Sequence, residues 1–312
     1  WGLWSAFCSP TRVAFLNYQV LQLSEISHAN DSPWIRLSEL TPEDAGKAGK
    51  YDILLINGMG LRITAEQRAA LQKAAEKGLP VISTMVTNPA NNITSADSAA
   101  TAEIQRYLAN GGPANYRNML AYIRRNVDRK RISAPVPPSP EEYVVENIYR
   151  PGPDGELGFR SLSEYEEFLK NEGLYRKDAP KVIVTGQMGE PSELMHALEN
   201  SGNTVYVIRD IRSLLSNGAL DSIAPSAVIN MAHGRLGDDA VGFLERHNIP
   251  LFSPLNVNMQ IKDWMEDPMG MNGGFMSQSI VTPEIDGAIR PFVLFGHYLG
   301  QNGLPLLKAV PD

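Results

Sequence analysis

The chain has 312 residues, 43% hydrophobic and 20% charged, enough for one large core or, more naturally, two. Lysine and arginine number 28 against 35 aspartates and glutamates, a formal charge of -7 that no long basic block offsets, which argues against a nucleic-acid partner. The single cysteine, Cys8, excludes an intrachain disulfide and a cysteine-based zinc site.

The first eight residues, "WGLWSAFC", are apolar and aromatic. They read either as the outer edge of a membrane anchor lying before residue 1, which would tether the protein on the periplasmic face of a membrane, or as an ordinary buried first strand. No run of 18 or more apolar residues occurs in the chain itself. "RVAFLNYQV" (12–20) and "YDILLING" (51–58) read as buried strands, the second running into a flexible "GMG" at 58–60. A helix follows: Thr64 and Gln67 have capping-box spacing, Leu71, Ala74 and Ala75 share a face, and Gly78 with Pro80 stops it. "PVIST" (80–84) is the next strand, completing a βαβ unit whose strands are expected to be parallel.

Residues 96–131 read as two helices separated by "GGP", the second carrying Leu120, Ile123 and Val127 on one face and ending in "RRNVDRKR" (124–131), a solvated basic end. The four prolines of "SAPVPPSPEE" (133–142) sustain neither helix nor central strand, so this is a semi-rigid connector. Beyond it, strands are expected at "KVIVTG" (181–186), "TVYVIRD" (204–210), "SAVINMA" (226–232) and "PLFSPL" (250–255). Helices fall between them, one from Pro191 with Leu194, Met195 and Leu198 inward and one from Asp238 with Val241 and Leu244 inward. The expected fold is therefore α/β: two Rossmann- or flavodoxin-like units, each a parallel sheet flanked by helices. The first spans 1–132 with a helical extension, a proline-rich linker spans 133–160, and the second unit spans 161–312.

In such sheets ligands bind beyond the carboxyl ends of the strands. Four loops of the second half are placed there: "GQMGEP" after 185, "RDIRS" after 208, "AHGRLGDD" after 231 and "NVNMQ" after 255. None has the dinucleotide fingerprint and no Walker sequence occurs, so no ATP site is encoded in this chain. His233 follows a strand end directly, beside Gly234 and ahead of Asp238 and Asp239. It is either a proton acceptor, metal ligand or axial iron ligand, or a loop histidine bonded to backbone. His297, with Tyr298 beside it, is the second candidate, while His196 and His247 read as surface residues and His28 supports no argument. Met259, Met265, Met269, Met271 and Met276, with Trp264, either line a broad apolar pocket for a macrocycle or fill a core, and "DPMGMNGGF" (267–275) reads as a mobile loop over that surface. In "IVTPEIDGAIRP" (280–291), Glu284 and Asp286 would face the same way in an extended chain and could hold a cation or exchange protons. A turn with Asp286 bonded to its own backbone and Gly287 at positive φ accounts for the same residues.

The run "PLFSPLNVNMQIKDWMEDPMGMN", then a strand ending in Pro-Glu-x-Asp-Gly, then "LFGHYLGQNGLPLLKAVPD", resembles the large subunit of the cobaltochelatase and magnesium chelatase family. "NIYRPG" and "FRSLSEYEEFL" (147–169) resemble that family's linker before its second α/β unit. The resemblance covers the chain from about residue 50 onward. It implies the N-terminal portion of a longer subunit that binds a tetrapyrrole (haem, porphyrin or corrinoid), handles a divalent metal (Fe, Co or Mg), is continued by downstream domains and works with separate AAA+ subunits that hydrolyse ATP. On that resemblance Glu284, Asp286 and His233 are the catalytic candidates, His233 the metal ligand, and His233, His297, Tyr298, Trp264, Met269 and Met271 the tetrapyrrole contacts. His233 stands where the family is expected to have a hydroxyl or small residue, and an extra imidazole suits iron removal from haem over cobalt insertion into a corrinoid. Two other classes fit the same two-lobed pattern: a non-enzymatic ligand-binding module and a flavodoxin-like redox domain, the latter without a recognisable flavin phosphate loop.

Overall fold

The computed structural model of the protein describes residues 9–130, 138–152, 155–186, 191–300 and 303–310. The chain divides into two compact units, Trp1–Tyr143 with Leu299–Leu306 and Val144–Tyr298 with Leu307–Asp312.

The first unit is built on a parallel sheet ordered β2-β1-β3-β4, with β1 Thr11–Leu16, β2 Ile35–Glu39, β3 Ile53–Asn57 and β4 Val81–Thr84. Successive residues of a strand face opposite sides, and here both sides are covered. Val13, Phe15, Ile53 and Leu55 pack with Ile104, Tyr107 and Met119 from the following helices, whereas Ala14, Leu16, Leu54 and Ile56 pack with Leu71 and Leu79. That explains why "ILLI" is apolar throughout, each of its large side chains being worth about 1.5–3 kcal/mol on burial. The Ala65–Glu76 helix starts with the expected capping box: the Gln67 amide N–H donates to the Thr64 hydroxyl and the Thr64 N–H to Gln67 Oε1. The first strand is shorter than its apolar run because Asn17 has a φ of +61° and a helix, Val20–Ala29, begins at once.

The basic end at 124–131 is not simply solvated. After the Pro113–Tyr122 helix the chain forms a π turn, Ile123–Val127, and Arg124 is buried with Nη1 donating to Ser9 O (3.0 Å), Thr11 Oγ1 (2.9 Å) and Trp34 O (3.2 Å). Its guanidinium closes the start of β1, so the charge is structural. Lys130 likewise joins Asp52 and Asp128.

The expected 133–160 linker is mostly folded. Residues 131–137 lie outside the described chain, but Tyr107 donates to the Pro138 carbonyl and Asn115 to the Glu141 carbonyl, which ties this stretch to the first unit. Ile148–Gly152 (β5) and Gly155–Phe159 (β6) then pair antiparallel on the edge of the second sheet, so the second unit starts at Val144 rather than at 161. Pro151 is tolerated because β5 pairs with its other neighbour only at Ile148 and Tyr149.

The second sheet is ordered β10-β9-β7-β8-β5-β6, with β7 Lys181–Thr185, β8 Thr204–Ile208, β9 Ala227–Asn230 and β10 Leu251–Phe252 mutually parallel. Met195 of the Ser192–Asn200 helix and Ala240, Phe243 and Leu244 of the Asp238–Arg246 helix are buried against it, as their spacing requires. A bidentate pair, Arg150 to Glu199 at 2.6 and 2.9 Å, joins β5 to the first of these helices.

Three further strands, Leu255–Gln260 (β11), Val293–Leu299 (β12) and Pro305–Ala309 (β13), form a small sheet ordered β11-β12-β13. "NVNMQ" is therefore strand rather than loop. The "IVTPEIDG" segment departs in the opposite sense: expected as a strand, it is helical over Gly273–Met276, Ser277–Val281 (a π turn) and Thr282–Ile285. The glycine pair at 273 and 274, expected in a loop, begins that helix because Asn272 caps it, accepting from Phe275 N at 2.8 Å. No helix among the described residues is long and apolar enough to cross a membrane, and "WGLWSAFC" lies outside them.

Candidate functional site

Strand order locates the crevice. In the second sheet the chain steps from β7 to β8 on one side and returns to β9 on the other, so the switch point lies between the loops that follow β7 and β9. In the first sheet the corresponding loops follow β1 and β3, and there the Asn17 side-chain amide donates to Asn57 O and Met59 O (2.8 and 3.0 Å), bridging the two.

At the second switch point the loops touch. A Cβ on Gly186 (φ +90°) would lie 2.4 Å from Ala232 N, so only glycine permits this approach. Asn230 Oδ1 accepts from Ala232 N at 3.1 Å, and His233 comes next. His233 is half-buried, its Nδ1 lies 2.9 Å from Ser279 Oγ, and its ring meets Phe275 edge-on at 5.5 Å. Among the described residues no hydrogen-bond partner holds Nε2. Burial pushes the imidazole pKa down, which favours the neutral ring.

The residues after His233 bind the loop to the 273–286 segment. Gly234 N donates to Gln278 O at 3.0 Å, Arg235 Nε to Asp286 Oδ1 at 2.7 Å and Leu236 N to Asp286 Oδ2 at 2.5 Å. The Asp286 carboxylate is 1% exposed and both its oxygens are used, while Arg235 also reaches Asp238. The two carboxylates singled out in the sequence consequently part company. Glu284 is exposed, whereas Asp286 is buried, because a helical rather than an extended backbone connects them. Gly287 does adopt positive φ (+76°), but Asp286 bonds the His233 loop instead of its own backbone.

His297 is buried on β12 in register with Gln260, and burial lowers its pKa as well. The hydroxyl of Tyr298 is buried and has no partner among the described residues. Neither residue shares a hydrogen bond with the His233 loop. The methionines are not core filler: Met265 and Met269 are 74% and 84% exposed, and neither they nor Trp264, Met259, Met271 and Met276 join any of the hydrophobic clusters. His28, His196 and His247 are exposed. Ser279, Phe275 and Arg235 were not legible as site residues, since they lie 42 to 51 positions from the groups they hold, or within a loop whose partner was expected to be extended.

Among the described residues no group of three or more His, Cys, Asp or Glu side chains could jointly hold a metal ion. Two concavities among the described residues are not lined by His233. A cleft of about 130 Å³ in the first unit is flanked by Asp31, Arg117 and Arg124, and an open groove of about 420 Å³ in the second by Arg212, Asp238 and Arg246.

Two α/β units, the second with a half-buried imidazole at its switch point, define an α/β scaffold with an open-sheet crevice. The family model described as CobN/Magnesium Chelatase matches residues 105–312, two thirds of the chain, and the protein belongs to that family. In fold it is similar to the catalytic subunit of cobaltochelatase from Mycobacterium tuberculosis (TM-score 0.60, 14% identity), the match covering 97% of this chain and 26% of that one, so the chain spans about a quarter of that subunit. A D-isomer specific 2-hydroxyacid dehydrogenase from Lactobacillus delbrueckii ssp. bulgaricus aligns at TM-score 0.30 and 12% identity over 91% of this chain and 88% of that one, too low to carry an argument. No curated protein matches the chain.

Proposed function

We propose that this chain is part of an enzyme that transfers a metal ion to or from a tetrapyrrole, with iron removal from haem as the direction, and that His233 is the group nearest the chemistry. Family membership supports the reaction class. The observation that carries the assignment to His233 is its position at the switch point of the second sheet, anchored through Nδ1 with Nε2 left without a partner among the described residues.

Metal removal delivers two protons to the ring nitrogens as the ion leaves, and insertion takes two away. A ring kept neutral by burial is suited to ligate iron axially, drawing it from the macrocycle, and is a poor proton donor near neutral pH. The same neutral ring would accept a ring-nitrogen proton in cobalt insertion into a corrinoid, which is the second reading. His297 and Tyr298, and the partly exposed Trp264–Met271 stretch, are assigned to the macrocycle's apolar faces. Downstream domains of a longer subunit, and AAA+ partners to supply ATP-derived energy, complete the proposal.

The test is a visible-absorption titration with haem, a metal-free porphyrin and a cobalt-free corrinoid, repeated with His233→Ala. A haem Soret shift that disappears in the variant supports the haem reading. A shift only with the corrinoid favours insertion, and no shift with any of the three macrocycles refutes tetrapyrrole binding by this chain.

A further inference from the structure

Asp286 has the features of a catalytic carboxylate in the sequence and the surroundings of a structural one in the fold. Its side chain is 1% exposed and each oxygen already accepts a hydrogen bond, one from the Arg235 guanidinium and one from the Leu236 backbone N–H. With 1% of the side chain exposed and a charge-assisted bond to Arg235 in place, neither oxygen is open to a substrate. Both donors belong to the loop that carries His233, two and three residues further on. The same loop is bonded at Gly234 to Gln278 O, and His233 itself meets Ser279, so four consecutive residues, 233 to 236, are tied to one helical segment.

From this we infer that Asp286 is a positioning residue: it latches the 233–236 loop to the 275–286 segment and thereby fixes the orientation of the His233 imidazole, taking no part itself in proton transfer. The inference deepens the function proposed above and rests on it for its catalytic meaning, but the geometry it asserts belongs to the ligand-free protein. The latch is asymmetric. Ser279 sets the ring through one hydrogen bond, and the hydroxyl is itself carried on the segment to which Asp286 binds the loop. Releasing Asp286 should therefore free the ring even though the Ser279 hydroxyl remains. Releasing Ser279 should free the ring while leaving the loop in place.

The test uses the ligand-free chain labelled with ¹⁵N, in wild-type, Asp286→Ala and Ser279→Ala forms, with His233→Ala to assign the imidazole signals. Wild type should give His233 ring-nitrogen shifts of one hydrogen-bonded state and a slowly exchanging Leu236 amide. In Asp286→Ala the His233 shifts should move to values averaged over both neutral tautomers, and Leu236 should exchange at least about tenfold faster. The His297 ring signals, on a different sheet, should not move. Ser279→Ala should average the His233 ring with Leu236 exchange unchanged. If Asp286→Ala does not fold, Arg235→Gln, which removes the other half of the ion pair from the exposed side, is read the same way. His233 signals that stay at their wild-type positions while Leu236 exchange rises would overturn the inference, since the carboxylate would then hold the loop without setting the ring. A wild-type chain that binds none of the macrocycles would refute the proposed function and leave this result standing, so the two failures are distinguishable.

Discussion

Gly186 is where the two loops of the second switch point meet, and replacing it with alanine should cost more than backbone strain alone. At φ +90° an L-residue is disfavoured by roughly 1–2 kcal/mol. The new Cβ would also lie 2.4 Å from Ala232 N and 2.9 Å from Ala232 Cβ, where ordinary contacts begin at 3.4 Å, so about 1 Å (3.4 - 2.4) must open between two backbones. Forcing atoms into a packed site adds about 1–3 kcal/mol, for a total of about 2–5 kcal/mol. Gly173 provides the control, with φ +70° and nothing within 4 Å of its virtual Cβ, so Gly173→Ala should cost only the backbone part. Urea unfolding with hydrogen exchange read on strands of the second unit measures both. The Gly186 variant should lose the larger amount and should accelerate exchange at Leu236 by displacing the His233 loop. Equal losses in the two variants, or unchanged Leu236 exchange in Gly186→Ala, would refute the argument that the close approach positions the site.

Glu199→Ala should destabilise the second unit by about 3–5 kcal/mol by orphaning Arg150, which is 13% exposed, whereas replacing both residues with Met and Leu should recover most of the loss in urea titration. Because burial lowers the pKa of both His233 and His297, the unfolded chain binds more protons below the ordinary value of 6.5. Stability should therefore be full at neutral pH, fall as pH drops below about 6.5, and level off under the folded-state values. Thermal melts from pH 8 to 5 check this, with a shallower slope expected in His297→Asn. Thr64→Ala should cost about 1 kcal/mol of first-unit stability, read by chemical denaturation, because it removes half of a capping box that is intact in the fold.

The parallel strands and their helices were readable because each carries its own periodicity and stop signals: "ILLI" needs two covered faces, and Thr64 with Gln67 announces a helix start. The edge pair β5–β6 was hidden by Pro151 and by glycines at 152 and 155, which read as linker yet are the paired ends of the two strands. The segment 277–285 misled for a different reason. Its β-branched residues Ile280, Val281 and Thr282 favour strand locally, and a helical conformation wins through Asn272 as cap and through contacts with a loop some 45 residues earlier. The place of His233 beyond a strand end was readable from sequence, and the fold puts it three residues after β9. What it touches was not, since Ser279 and Phe275 become its neighbours, and Asp286 a partner of its loop, only when the loop folds back.

The course of the chain near its end limits how the protein can be divided. Leu299–Leu306 belongs to the first unit, where Leu304 is fully buried, while the residues on either side belong to the second. A polypeptide expressed as residues 9–143 would therefore lack a core side chain that arrives from more than 150 positions away, leaving a void of the kind that costs about 2–5 kcal/mol for a leucine. The first unit's core is completed only once residue 304 has been made, so during synthesis that unit reaches its full stability late.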